Sequence, residues 1–432
     1  MTVSGERRRF LLITSSGGGG HLRAARAFAM KIRATHPDCT LIEADILTDW
    51  LGKYVGRLFA RMWNASQRGG RLRTLRLLSG GIPTLDLLFR PVIFSKALVT
   101  ITSHNIDTVI DMQPLGTSAI IRAVETVSRT RRKRLTVEKV ITELPTDFTV
   151  HFFKPIKRLT DRDRKFLRLV STPPLSDSGK NADRFWMSNC GMRASGVRYE
   201  DFPLRKEFEQ YRRYSAAPFP DMVLRIALHD QTEKRLITGC VRRGNGKIER
   251  RKKEYVVSIR PADKVSTILL GSQPTETATV RYVRCFIEME GKRKRAGVRH
   301  LLFVFCNADG ARPGSLMKRV CTAVEQVRHY PHHLTVIPMG VQGAEVIAPL
   351  YYRSNATFTR SGGLTAMELI SVSRGEIRIH SEVKGEADQE TLSYGMPAWE
   401  RGNALYLRKI RGAGFISPDT FTTGCAGYFN DY

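Results

Sequence analysis

The sequence has no uninterrupted run of about 18 apolar residues, so it predicts no integral membrane segment. Its opening residues, MTVSGERRRF, lack the long apolar core and small-residue cleavage site of a secretory signal. Cysteine is sparse: seven residues (Cys39, Cys190, Cys240, Cys285, Cys306, Cys321, Cys425), odd in number and without a CxxC pair. That argues against a zinc site and favours reduced thiols in a cytoplasmic setting. Acidic residues are in short supply, with 41 Asp+Glu against 70 Lys+Arg, a net charge of +29. Basic clusters stand at Arg7–Arg9, Arg129–Arg134, Arg250–Lys253 and Lys292–Arg295. Such a surface attracts polyanions, so an anionic membrane surface or nucleic acid is an expected partner. Solvated loops are the competing explanation of the same charge.

What is present is globular in character. Hydrophobic residues make up 42% and charged residues 26% of 432 positions, enough for about two or three domains. The stretch FLLITSSGGGGHLRAARAFAM (10–30) places an apolar run before four glycines, Gly17, Gly18, Gly19 and Gly20, and a helix-forming segment after His21. Strand, glycine turn and helix form a ligand loop: glycines bring backbone N–H groups close, and the helix points its positive end at the same place. The spacing matches neither GxGxxG nor a P-loop.

Thr40–Ile46 follows as a second strand. Residues 50–100 read as helical and rich in Leu, Phe and Arg, with Tyr54, Leu58, Phe59, Met62 and Trp63 at i, i+4 spacing. Such a face packs on its own sheet or lies on a membrane surface. Strands at Asp107–Met112 and Val137–Ile141 extend a doubly wound α/β domain to about residue 205. The polar stretch Thr142–Asp147 sits at a strand's carboxyl end, over the glycine crevice. Residues 206–262 read as a junction and a β-rich insertion, in which VLRIALHD, LITGCVRR and EYVVSIR flank an RGNGK turn suited to a hairpin. From 263 to 432 the strand–helix rhythm resumes. Ser266–Leu270 ends in Gly271-Ser272-Gln273, and Ala356–Arg360 runs into Ser361-Gly362-Gly363-Leu364-Thr365 and a helix bearing Glu368. The fold class is therefore α/β, with two Rossmann-like halves facing one cleft.

Four motifs in this order, SSGGGGH (15–21), GVRYEDFPLRKEF (196–208), LLGSQP (269–274) and TRSGGLTAMEL (359–369), resemble the two-domain (GT-B) glycosyltransferases. The similarity is to the group containing the peptidoglycan precursor N-acetylglucosaminyltransferase and monogalactosyldiacylglycerol synthases. The resemblance implies an amino-terminal acceptor domain and a carboxyl-terminal domain for a UDP- or GDP-linked sugar, with no cofactor or metal. It implies donor contacts at Gly271, Ser272 and Gln273, diphosphate contacts at Gly362, Gly363 and Leu364, and a ribose contact at Glu368. His21 matches the loop histidine assigned as acceptor base. Asn403-Ala404 resembles the donor-sugar segment, with Trp399-Glu400 replacing the family's Gln-Gln pair.

Chemistry adds its own expectations. Amides at a helix N-terminus stabilise a departing diphosphate, with Arg360 as added charge or as a surface residue. A histidine titrating near neutrality can take the acceptor proton. His380 and Glu382, after another strand, are possible sugar contacts. Two alternatives stand beside transfer: a nucleotide-sugar epimerase or hydrolase on the same fold, and a degenerate basic platform for RNA or lipid.

Overall fold

Phe10–Ile13 forms the heart of strand β1 (Arg9–Thr14), buried on both faces as a central parallel strand must be. β2 (Thr40–Asp45), β3 (Thr108–Asp111), β4 (Thr136–Val140), β5 (Leu167–Ser171) and β6 (Val197–Tyr199) complete a sheet ordered β2-β1-β3-β4-β5-β6. All its pairings are parallel. The computed structural model describes residues 7–16, 20–175, 181–201, 204–212, 219–246, 248–293, 298–306 and 314–425. Alternation along β1 sends Leu11 and Ile13 into one apolar cluster and Phe10 and Leu12 into another. The flanking helices are α1 (Gly20–Thr35), α2 (Lys53–Arg68), α3 (Leu72–Gly80), α4 (Ile82–Ser103), α5 (Thr117–Arg131) and α6 (Val150–Lys157).

A second cluster of strands follows. β7 (Met222–Ala227), β8 (Ile248–Arg250) and β9 (Glu254–Ile259) form an antiparallel sheet ordered β7-β9-β8. β10 (Lys264–Leu269), β11 (His300–Phe305), β12 (Leu334–Met339), β13 (Ala356–Thr359), β14 (Glu376–His380) and β15 (Gly414–Ile416) form a parallel sheet ordered β12-β11-β10-β13-β14-β15. Every residue of β11 and β12 is buried. The small sheet belongs to this second body: Leu224, Ile226, Tyr255 and Val257 lie in the same core as Leu302 and Val336.

The segment LITGCV is a correction to the sequence reading. It forms the helix Gln231–Val241 rather than a strand, because Asp230 caps it through Glu233 N (2.7 Å) and Glu233, Ile237 and Cys240 fall buried at helical spacing. The hairpin turn consequently lies at 251–253, closed by Arg251 N on Glu254 O (2.9 Å), and not at RGNGK.

Both sheets reverse strand order beside their first strand, between β1 and β3 and between β10 and β13. Ligands of open α/β sheets bind at such switch points, outside the strands' carboxyl ends. Gly20 after β1, Gly271 after β10 and Gly362–Gly363 after β13 are therefore all at switch points. The two bodies also share apolar contact, since Leu364 joins the cluster of Phe10, Ala24, Ala25 and Phe28. No helix among the described residues is long and apolar enough to cross a membrane. Several cluster cations are already paired: Arg129 with Glu125 (2.8 Å), Lys133 with Asp107 (2.7 Å), Arg251 with Glu249 (3.1 Å) and Arg293 with Glu290 (3.2 Å). Lys294 and Arg295 lie outside the described residues, as do Gly17, Gly18 and Gly19.

Candidate functional site between the two sheets

Gly20 opens α1, which places His21 in its first turn, over the carboxyl end of the first sheet. The imidazole Nδ1 lies 3.1 Å from Thr142 Oγ1, at the end of β4. Burial and the positive charge of Lys139 lower its pKa to about 4, so the ring is neutral at pH 7. Lys139 is itself buried and bonded to Asp111 Oδ2 (2.7 Å) and Thr117 Oγ1 (2.8 Å). His151, on α6, is likewise held neutral, with a pKa lowered to about 3 by burial and by His21.

Facing His21 is a polar pocket of about 100 Å³. From the second body it is lined by Gly271, Ser272, Gln273, Arg360, Trp399 and Glu400 and by Gly362–Thr365. Gly271 has φ +82°, a conformation that favours glycine. Gly362 is the N-cap of the helix Gly363–Val372, whose first-turn residues line the pocket, and its first N–H groups have no partner within the helix. From the first body, Arg23, Trp63, Gln67, Thr142 and Glu143 close it.

His21 and Trp63 also line a second pocket of about 100 Å³ that is mostly apolar. Its walls are Leu47, Val55, Phe59, Leu85, Phe89 and Leu115 among others, contributed largely by α2 and α4. The imidazole thus stands where a polar interdomain pocket meets an apolar channel.

The bodies touch directly across the cleft. Arg68 Nη1 donates to Gln273 Oε1 (2.9 Å), and Trp63 stacks on Trp399 with ring centroids 5.5 Å apart. Asn403 is the main clamp: Oδ1 accepts from Leu144 N (2.9 Å), while Nδ2 donates to Ser361 O (2.7 Å) and to Glu143 Oε2. The Glu143 carboxyl also receives the Gly363 N–H, and burial with the nearby Glu400 charge raises its pKa to about 8. A Cβ at Gly363 would run into the Thr142 carbonyl and lie 2.7 Å from Glu143 Oε2.

Some expected residues stand differently. Arg360 is no surface residue: it is buried and bonded twice to Glu400 (3.0 and 2.9 Å), which holds it charged against the cost of burial. Ser361 Oγ donates to Glu400 O (2.7 Å). Glu368 lies outside the pocket lining and is buried on Arg205, which donates from Nε (2.9 Å) and Nη2 (2.7 Å). His380 is buried, with Nδ1 2.9 Å from Tyr282 OH and Nε2 3.2 Å from Glu382. Glu382 accepts from Thr275 Oγ1 (2.8 Å) and lies against Gly70; neither residue lines the pocket. Arg23, Glu143 and Trp63 complete the site although no motif marks them; Glu143 alone had a signal, its place at a strand's carboxyl end.

No protein-family model matches the chain, and no curated protein matches it. Among solved structures it is similar to MurG of Acinetobacter baumannii, at 11% identity and TM-score 0.48, over 98% of this chain and 91% of that one. A UDP-glucosyltransferase of Polygonum tinctorium is similar at 12% identity and TM-score 0.44, over 99% and 91%. A UDP-GlcNAc 2-epimerase of Neisseria meningitidis bound to UDP-GlcNAc is similar at 10% identity and TM-score 0.41, over 98% and 100%. The chain is thus similar to two-domain glycosyltransferases and to epimerases alike.

Proposed function

We propose that the protein is a glycosyltransferase that moves a sugar from a UDP- or GDP-linked donor to the hydroxyl of an acceptor with an apolar body. The observation that carries this reading is the position of His21, shared between the polar pocket and the apolar channel. An epimerase or hydrolase needs no such second channel. In the proposed reaction the acceptor oxygen attacks the anomeric carbon, and the bond from that carbon to the diphosphate breaks. The electron pair leaves on the diphosphate, where the first-turn amides of the helix Gly363–Val372 and the Arg23 guanidinium stabilise it. The acceptor proton passes to His21. A pKa of about 4 makes the unliganded ring a weak base; a bound diphosphate adds negative charge nearby and raises its basicity towards neutrality.

The helices α2 and α4 that wall the channel, and α3 between them in sequence, expose apolar residues outward. Tyr54, Leu58, Leu77 and Leu88 are 93%, 60%, 77% and 67% exposed, among arginines such as Arg57, Arg61, Arg73 and Arg76. Apolar side chains set among arginines suit the surface of an anionic membrane, so we infer peripheral association through α2–α4, on the cytoplasmic side. Insertion of this face would bring an apolar acceptor close to its channel.

The test is turnover on a panel of nucleotide-sugars with and without amphiphilic alcohols, repeated on His21→Gln. Acceptor-dependent transfer is expected, falling by about 10²–10⁴-fold in the variant with nucleotide affinity unchanged. Sugar release to water or epimerisation without acceptor would replace the reading, and wild-type transfer by His21→Gln would remove the histidine from it.

A further inference from the structure

On the far side of α4 from the apolar channel lies a separate pocket of about 270 Å³, between α4, α5 and α6. Leu85 and Phe89 of α4 face the channel, whereas Asp86, Leu87 and Arg90 face this second space. Four cations line it: Arg90 from α4, Arg122 from α5, Lys154 from α6 and Arg158 just beyond α6. Among the described residues none of the four side chains forms an ion pair or a hydrogen bond. The Nε–H of Arg90 is withdrawn from solvent and has no acceptor. A donor so placed costs free energy until a ligand or water meets it.

The two carboxylates in the lining offset only part of this charge, and each already accepts hydrogen bonds from its own backbone or side-chain neighbours. Asp86 Oδ1 accepts from Gly116 N (2.6 Å), and Asp163 Oδ2 accepts from Thr160 Oγ1 (2.8 Å) and Thr160 N (3.2 Å). Ser118, in the first turn of α5, adds a hydroxyl to the wall. Four positive groups, a hydroxyl and two occupied carboxylates leave a net positive concavity rich in N–H donors. That is the chemistry that recognises a phosphoryl group, which offers several acceptor oxygens and up to two charges to more than one arginine.

We propose that this pocket is a binding site for a phosphoryl group, distinct from the interdomain pocket. The site serves either the phosphate of a membrane lipid headgroup or a soluble phosphate ester. Leu87 lines the pocket and Leu88 beside it is 67% exposed, so a headgroup seated here would have apolar side chains at its margin. The membrane source rests on the proposed peripheral association, but the phosphoryl site does not rest on sugar transfer.

The experiment measures binding without turnover, so its failure and that of the glycosyltransferase reading are separable. Inorganic phosphate and pyrophosphate are titrated calorimetrically, and phosphatidylcholine vesicles with or without phosphatidic acid are sedimented with the full chain. Both are repeated on the double variant Arg122→Gln/Arg158→Gln and on a charge-matched control, Arg250→Gln/Lys252→Gln, each checked for an unchanged melting temperature. Vesicle binding that depends on phosphatidic acid and falls at least tenfold in the pocket variant, but less than threefold in the control, supports a headgroup site. Phosphate or pyrophosphate binding lost in the pocket variant, without vesicle binding, supports a soluble ligand. Equal losses in both variants, or no binding to any probe, overturn the proposal. If either variant's melting temperature falls, Arg90→Lys, which keeps the charge but removes the orphaned Nε–H, is expected to weaken the same probe at least threefold. Unchanged binding by that variant also overturns it.

Discussion

At the scale of single residues, the site is governed by groups whose environment opposes their ordinary charge. Glu143 is the clearest. Its carboxyl is pushed up to about 8 by burial and by Glu400, while the Gly363 N–H that we assign to the donor diphosphate rests on it. The unfolded carboxyl titrates near 4.5. The folded chain therefore binds the extra proton between about 4.5 and 8, and stability falls as pH rises through that window. Once ionised, Glu143 also repels a diphosphate. Nucleotide affinity is thus expected to decline as pH passes about 8 in the parent. In Glu143→Gln it should stay level, and calorimetry at pH 7 and pH 9 reads the difference directly. Parallel pH dependence in the two proteins would show that Glu143 does not compete for the amides.

Glu368 gives a second residue-scale expectation, and it departs from the ribose role the motif implies. Its carboxylate is buried on Arg205, and removing one partner of a buried ion pair leaves the other uncompensated. Glu368→Ala is expected to destabilise the fold by about 3–5 kcal/mol. Denaturant unfolding measures this. A stable Glu368→Ala protein with selectively weakened nucleotide binding would restore the ribose assignment.

At the scale of elements, the helix Gly363–Val372 is the part both bodies depend on. Its N-terminus supplies amides to the pocket, its Leu364 packs against α1, and Gly363 leaves no room for a side chain beneath Thr142. Gly363→Ala meets backbone rather than a flexible side chain, so the cleft must open to accept it. We expect nearly unchanged stability of the separate cores but loss of the interdomain contact, read as faster hydrogen exchange at Leu144, whose amide is held by Asn403. Unchanged protection there would mean that the two bodies do not need this close approach.

At the scale of the whole molecule, the cleft is narrow and bridged by direct contacts between the two bodies. The polar pocket holds about 100 Å³, whereas small-molecule sites run to roughly 300–1,000 Å³. If the proposed nucleotide-sugar binds here, the two sheets are expected to part, breaking the Trp63–Trp399 stack and the Arg68–Gln273 bond. UDP or GDP at saturation is expected to change the tryptophan emission of the parent and to leave that of Trp399→Phe less altered. A nucleotide that binds tightly with no change in emission or in solution radius would indicate that the cleft admits its donor without opening.

The sequence by itself determined the α/β class, the glycine turn at Gly362–Gly363 and the start of a helix at His21, because strand–turn–helix order is local and its chemistry lies within a few residues. It determined less in 206–262, where the strand-like composition of LITGCV yielded to a cap at Asp230 and to burial at helical spacing. Only the tertiary structure decided what fills the cleft. Glu143 and Asn403 are 260 positions apart, and Trp63 and Trp399, on separate bodies, are farther apart still, so no local pattern joins them. Arg205 claims Glu368, and Glu400 claims Arg360, for the same reason: a buried charge takes whichever opposite charge the fold brings nearest, and chain order does not specify that neighbour.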